Sequence, residues 1–206
     1  PKRSYWIRLA GVHGQLNHDK EQVYAMEAAH VANMHEREGD YIALAGLLMQ
    51  EQAPLRAARA LSAAVDAGIV ESTSRNLLSL GQAFQLAQDT SEGIVAFEAA
   101  AKLYDDGKIY EGLAHLYLDD DEYDKCVTAA DGAINKGGLR RTQSTYIVKG
   151  MCLYNKDRLT TARQSFVRCR NESRRVKDES NQRICNQWIT YSDREKPRRA
   201  ALESAI

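Results

Sequence analysis

The side chains able to do chemistry are few in this 206-residue chain, and poorly spaced for it. Five histidines stand at His13, His18, His30, His35 and His115. A zinc site draws His and Cys ligands together through short motifs, and the sequence has neither HExxH nor CxxC. His30 and His35 are five residues apart and do not share a helical face. The acidic run Asp119–Glu122 would attract a cation but lacks the alternating spacing of a calcium loop, and reads as a solvated turn. No glycine-rich loop is placed to cradle a phosphate, because Gly137-Gly138 and the isolated glycines fall at helix ends or packing positions. Four cysteines, Cys126, Cys152, Cys169 and Cys185, are too dispersed for a ligand set. The expectation is a non-enzyme with no cofactor and no metal.

The elements that carry these residues are helical. Only three prolines occur, at Pro1, Pro54 and Pro197, and Ala, Leu, Glu, Gln and Arg dominate. No apolar run approaches the roughly 18 residues of a membrane span. The chain opens at Pro1 without methionine and without a signal-peptide pattern, and reads as a fragment or processed product. The formal net charge is zero but unevenly laid out. Residues 1–88 carry 8 basic and 9 acidic side chains, 89–138 carry 4 and 12, and 139–199 carry 16 and 6. Solvated helix faces account for most such asymmetry, and partner steering is the alternative.

Repetition is the strongest signal. Leu9-Ala10 recurs as Leu44-Ala45, Leu80-Gly81, Leu113-Ala114 and Lys149-Gly150, in steps of 35, 36, 33 and 36. Two further tracks keep the same steps: Met26, Leu61, Phe97, Ala130, Phe166, and Ala29, Ala64, Ala100, Ala133, Cys169. Within the fourth unit, Tyr110, Leu113, Ala114 and Tyr117 share one helical face. After the acidic turn, Cys126, Ala130 and Ala133 share another. The unit is a helical hairpin, and its small residues let the helix axes approach.

These tracks resemble the tetratricopeptide repeat (TPR) family, whose signature is an aromatic, Leu-Gly/Ala, an aromatic, a small residue, an aromatic and a small residue. Unit four fills it with Tyr110, Leu113-Ala114, Tyr117, Cys126, Ala130 and Ala133. Unit three has Leu77, Leu80-Gly81, Phe84, Gly93, Phe97 and Ala100, and unit two Tyr41, Leu44-Ala45, Leu48, Ala57, Leu61 and Ala64. Unit five has Tyr146, Gly150, Leu153, Ala162, Phe166 and Cys169 but puts Lys149 where leucine is expected. Unit one has Trp6, Leu9-Ala10, Met26 and Ala29, with His13 and Gln22 departing from the pattern. The resemblance implies an all-α, right-handed superhelical TPR solenoid of about five hairpins plus a C-terminal capping helix. It predicts one array over 3–193, with units 3–37, 38–73, 74–106, 107–141 and 142–175, a capping helix over 178–193 around Ile184, Cys185 and Trp188, and a tail over 194–206.

Two readings of the cysteines follow. All four serve as small buried thiols, or Cys169 pairs with Cys185 on the next helix along, in an oxidising compartment.

The TPR resemblance also implies a concave wall of first helices that binds a partner's helix or extended segment. Carried onto this sequence, the wall is Ile7, Ile42, Met49, Leu78, Gln82, Gln85, Glu111, His115, Leu118, Ile147, Met151 and Tyr154. Several of these are expected simply to pack under a neighbouring helix. Lys108 is the only basic residue among the assigned wall positions, so no clamp for an acidic C-terminal tail is expected.

The "YW..LAG" entry, "AMEAA", "VKGMCLYN..RLTTARQSF" and "QW.TYSDRE" are similar to TPR proteins that accompany TonB-ExbB-ExbD systems of Gram-negative bacteria. That likeness implies a periplasmic accessory scaffold with further N-terminal repeats, where the alternative is a cytoplasmic one. Two other function classes stay open: RNA binding through the basic run Arg168–Lys177, against which stand the neutral net charge and the absence of interleaved aromatics, and self-association.

Overall fold

The computed structural model describes residues 2–203, all-helical among them, with eleven helices and no strand. In chain order they are α1 (Arg3–Gln15), α2 (Asp19–Val31), α3 (Glu38–Gln50), α4 (Pro54–Asp66), α5 (Ser74–Leu86), α6 (Thr90–Leu103), α7 (Gly107–Asp119), α8 (Tyr123–Lys136), α9 (Thr142–Asn155), α10 (Leu159–Arg175) and α11 (Glu179–Glu203). The chain divides into two compact units, Pro1–Ala96 and Phe97–Ile206, with the boundary inside α6.

The turn within each hairpin repeats one backbone device. A single residue with positive φ sits at Asn17, Gln52, Gln88, Asp121 and Asp157, in steps of 35, 36, 33 and 36, the intervals of the sequence tracks. The following residue donates its amide to the carbonyl five positions back: His18 to His13, Ala53 to Leu48, Asp89 to Phe84, Glu122 to Tyr117 and Arg158 to Leu153, at 2.8–3.0 Å. This closure satisfies carbonyls that the helix end leaves free. Asn and Asp suit the left-handed conformation, and at Gln52 and Gln88 the closing hydrogen bonds hold it. Pro54 opens α4 at a position that needs no amide hydrogen.

In the first unit, Ala10, Met26, Leu44, Leu48, Leu61, Leu80 and Phe84 belong to one buried cluster. The start of α3 is fixed by Asp40. Its carboxylate accepts from Arg3 Nε at 2.9 Å and from the Glu36 and Arg37 amides at 3.2 and 3.3 Å. Burial acts to raise the Asp40 pKa, and these donors outweigh it, leaving the carboxyl below its usual value.

One face of α1 stays uncovered. Tyr5, Leu9, Val12 and Leu16 follow i, i+4, i+7, i+11 spacing and are all exposed. Leu9 is 42% exposed, whereas its register equivalents Leu44, Leu80 and Leu113 are 0%, 5% and 5%. The difference predicts opposite responses to substitution. Leu9→Ser is expected to change the urea unfolding free energy by no more than about 0.5 kcal/mol. Leu44→Ala is expected to cost about 2–5 kcal/mol. A loss above about 2 kcal/mol for Leu9→Ser would show this face to be covered in solution.

His35 lies in the link after α2 and is buried, with neither ring nitrogen hydrogen-bonded among the described residues. Its ring sits 5.5 Å from that of His30 and 5.4 Å from that of Tyr41. The two histidines meet because α2 ends at Val31 and the chain turns back, so helical spacing does not govern them. Burial lowers the His35 pKa; the Asp40 charge opposes that, and His30 and Arg3 reinforce it. A histidine kept neutral in the fold contributes its full stability above the ordinary imidazole value of 6.5 and loses it as pH falls below. Asp40, with its carboxyl lowered, adds an acid loss only below 3.8. Urea midpoints should therefore decline between about pH 7 and 5, and His35→Phe should flatten that decline. An unchanged slope in the variant would remove the assignment.

In the second unit, large rings sit over glycines. A Cβ at Gly112 would lie 2.5 Å from the Phe97 ring, and one at Gly150 would lie 2.3 Å from the Phe166 ring. The Tyr117 hydroxyl donates to Glu98 at 2.6 Å, and burial together with that bond pushes the phenol well up. Lys149, in the place where the repeat expects leucine, is largely buried and reaches Asp131 with its ammonium, its stem serving as the apolar filler.

The structure pairs Cys169 with Cys185, joining α10 to α11, and also pairs Cys126 with Cys152, joining α8 to α9. The Cα–Cα distances are 6.1 and 6.3 Å. All four cysteines are fully buried.

The capping helix extends past the boundary expected at 193. α11 runs through Pro197 to Glu203, and part of the tail predicted over 194–206 is thus helical; residues 204–206 lie outside the described set. Arg198 and Arg199 both bond Glu195 across one turn, and Arg199 also pairs with Asp157 in the α9–α10 turn. These ties bridge the hydrogen bond that proline cannot make.

Candidate partner-binding groove

Within the first unit, three of the residues expected on the wall line one pocket. On α3, Ile42, Ala45, Gly46 and Met49 follow i, i+3, i+4, i+7 spacing and form one wall. On α5, Arg75, Asn76, Ser79, Gln82 and Ala83 form the other, and Leu61 of α4 completes the lining. The pocket has a volume of about 300 Å³. Gly46 is exposed at the pocket, and a Cβ built there meets nothing within 4 Å.

The polar edge is partly committed. Asn76 donates its amide hydrogens to Glu38 at 2.6 Å and to the Glu71 carbonyl at 2.8 Å. Thr73 caps α5 by accepting from the Asn76 amide at 3.2 Å. Arg75 has no ion-pair partner among the described residues and stands in the first turn of α5, which holds no acidic side chain.

Of the residues expected on the wall, Ile42, Met49 and Gln82 come together in this pocket, whereas Leu78 and Gln85 are half-buried on α5 and do not line it. Ile7 packs against the core cluster. In the second unit, Glu111 accepts from the Thr145 hydroxyl at 2.8 Å. His115, Leu118 and Ile147 are half-buried. Met151 and Tyr154 pack against the cluster of Leu153, Ala162, Phe166 and Ile189. Tyr154 is also flanked by Trp188 at 5.7 Å, by Tyr191 at 5.5 Å and by the Arg199 guanidinium at 4.9 Å. The repeat pattern missed Arg75 because it lies in the first turn of α5, outside the wall positions; the small residues Ala45 and Gly46 were recoverable from helical spacing to Ile42. Among the described residues, no group of three or more His, Cys, Asp and Glu is placed to hold a metal.

No family model and no curated protein matches the sequence. Solved structures do match. The MamA protein superposes with a TM-score of 0.70 at 17% identity, over 86% of this chain and 95% of that one. A Pseudomonas aeruginosa pilF structure gives 0.56 at 15% identity, over 92% and 90%. The C-terminal part of a TPR repeat-containing protein from Cytophaga hutchinsonii gives 0.58 at 12% identity, over 90% and 78%. The chain has the tetratricopeptide-repeat fold. In TPR terms, α3 and α5 are the first helices of adjacent hairpins and Leu61 belongs to the second helix between them. The pocket lies between these two helices.

Proposed function

We propose that this TPR chain is a non-enzymatic interaction scaffold that holds a segment of a partner protein in the α3–α5 groove. The observation that carries the reading is the largely apolar pocket of about 300 Å³ between α3 and α5. Small-ligand and peptide-anchor sites are concave, largely apolar and edged by a few polar groups, and this pocket has that composition.

We further propose an envelope setting, in the periplasm, as an accessory of a TonB-type system. Two features support it: the sequence resemblance to TPR proteins accompanying TonB-ExbB-ExbD, and two buried cysteine pairs that suit an oxidising compartment.

The test places a photo-crosslinking amino acid at Gln82 in the native host and compares it with the same protein carrying Gly46→Leu. The substitution adds bulk at a lining residue whose Cβ meets no protein atom within 4 Å. A discrete cross-linked product that disappears with Gly46→Leu is the expected result. A product insensitive to Gly46→Leu would rule out the groove.

A further inference from the structure

We propose that the His30–His35 pair is a metal site that takes one cuprous ion between the two imidazoles. His35 is 5% exposed, and neither of its ring nitrogens has a hydrogen-bond partner among the described residues. Nδ1 of His30 is likewise buried and unpartnered. A buried polar atom left without a partner costs free energy, so three such nitrogens on two neighbouring rings call for a ligand. Tyr41 stands edge-on to both rings, at 5.7 Å from His30 and 5.4 Å from His35, and walls the pair.

The backbone sets the two rings in place. Asn33 takes a positive φ of 52° after α2, its amide donates to the His30 carbonyl at 2.9 Å, and the Met34 amide donates to the Ala29 carbonyl at 2.9 Å. That closure turns the chain back, and the ring centroids lie 5.5 Å apart with planes at 40°. Two imidazoles that each ligate through one nitrogen at about 2 Å place their centroids roughly 5–6 Å apart. The observed spacing falls in that range.

Ligand number and charge choose the ion. No third His, Cys, Asp or Glu joins the pair among the described residues, whereas structural zinc takes four protein ligands and catalytic zinc three. Burial holds His35 in the neutral form that ligates metals. Asp40, whose charge opposes that shift, spends its carboxylate on Arg3 and on the Glu36 and Arg37 amides. A divalent ion would therefore be left uncompensated, and a monovalent one leaves less charge to bury. Met34, half-buried and next in sequence to His35, adds a soft thioether of the kind that selects Cu(I). His13 and His18 repeat the spacing of five with centroids 5.8 Å apart, but His18 is exposed, so that pair serves as the internal control.

The experiment supplies Cu(I) anaerobically as its acetonitrile complex, without thiol, to the intact 206-residue chain in competition with a chromogenic cuprous chelator, while imidazole resonances are followed by NMR. One equivalent withheld from the chelator is expected, with shifts at His30 and His35 and none at His13, His18 or His115. His30→Leu and His35→Phe, each checked for native helicity by circular dichroism, should weaken binding by more than about tenfold. His13→Leu combined with His18→Leu should not. Copper withheld equally by the two single variants, or His30 and His35 resonances that stay in place in the unaltered protein, would overturn the site, and the second readout stands even where a variant fails to fold. Zn(II) offered in the same way should bind more weakly; zinc held as firmly as copper would overturn the choice of ion.

Discussion

Replacing Phe166 by alanine is expected to lower the unfolding free energy by about 3–5 kcal/mol, read as a fall in the urea midpoint with little change in slope. Phe166 is fully buried on α10 and lies over the backbone of α9 at Gly150, where even a methyl would sit 2.3 Å from its ring. The ring also stacks on Trp188 of α11, with centroids 5.2 Å apart and planes 12° from parallel. One ring therefore fills the space among three helices. Alanine would leave a cavity bounded by the α9 backbone and a large indole, neither of which closes easily. Gly150 supplies the cross-check. Gly150→Ala alone should destabilise by about 1–3 kcal/mol through overpacking. Paired with Phe166→Leu it should cost less than the sum of the two single changes, because the residues share one volume. Additive costs, or a Phe166→Ala loss below about 1 kcal/mol, would show that the two side chains do not meet as described.

The second large effect is reduction of the disulfides. Cys126–Cys152 and Cys169–Cys185 close separations of 26 and 16 residues. In the chain-entropy account each such loop is worth about 3 kcal/mol. Net domain stability is only about 5–15 kcal/mol, so losing both bonds removes a large share of it. The expectation has two parts. In guanidinium without reductant, a thiol reagent should find no free cysteine. After reduction, hydrogen exchange in α8 through α11 should rise sharply while α1 through α4, which carry no cysteine, keep their protection. Four reactive thiols before reduction would mean that the cysteines act only as small buried residues. The paired variants Cys126→Ala with Cys152→Ala and Cys169→Ala with Cys185→Ala separate the two contributions.

Both predictions concern features that the sequence made partly visible. Phe166 and Gly150 each stand on a repeat track, so their burial was legible. That the ring presses on the glycine, and that Trp188 stacks behind it, depends on how α9, α10 and α11 meet. Cys169 and Cys185 were paired in one reading because a late small residue in a second helix faces the next helix along. Cys126 and Cys152 were not paired, because Cys126 stands early in its helix and Cys152 late, and they meet only when antiparallel α8 and α9 run side by side. The sequence left the partner groove as a stripe of candidates; the structure brought Ile42, Met49 and Gln82 into one pocket and added Arg75, whose place in the α5 first turn the repeat pattern does not mark.

Two kinds of information are separable in this protein. The sequence by itself determined the helices, the hairpin period and the turns: the left-handed residues Asn17, Gln52, Gln88, Asp121 and Asp157 fall at the intervals of 35, 36, 33 and 36 that the apolar tracks already carry. Such features follow from local hydrogen bonding and side-chain periodicity, which a linear pattern encodes within a few residues. Tertiary structure alone decided the meeting of His30 with His35 beyond the end of α2, the pairing of Arg199 on α11 with Asp157 in the α9–α10 turn, and the pocket between α3 and α5. Each depends on a distance between side chains set by packing of separate elements, where an ångström of approach decides whether two groups touch and no periodicity records it.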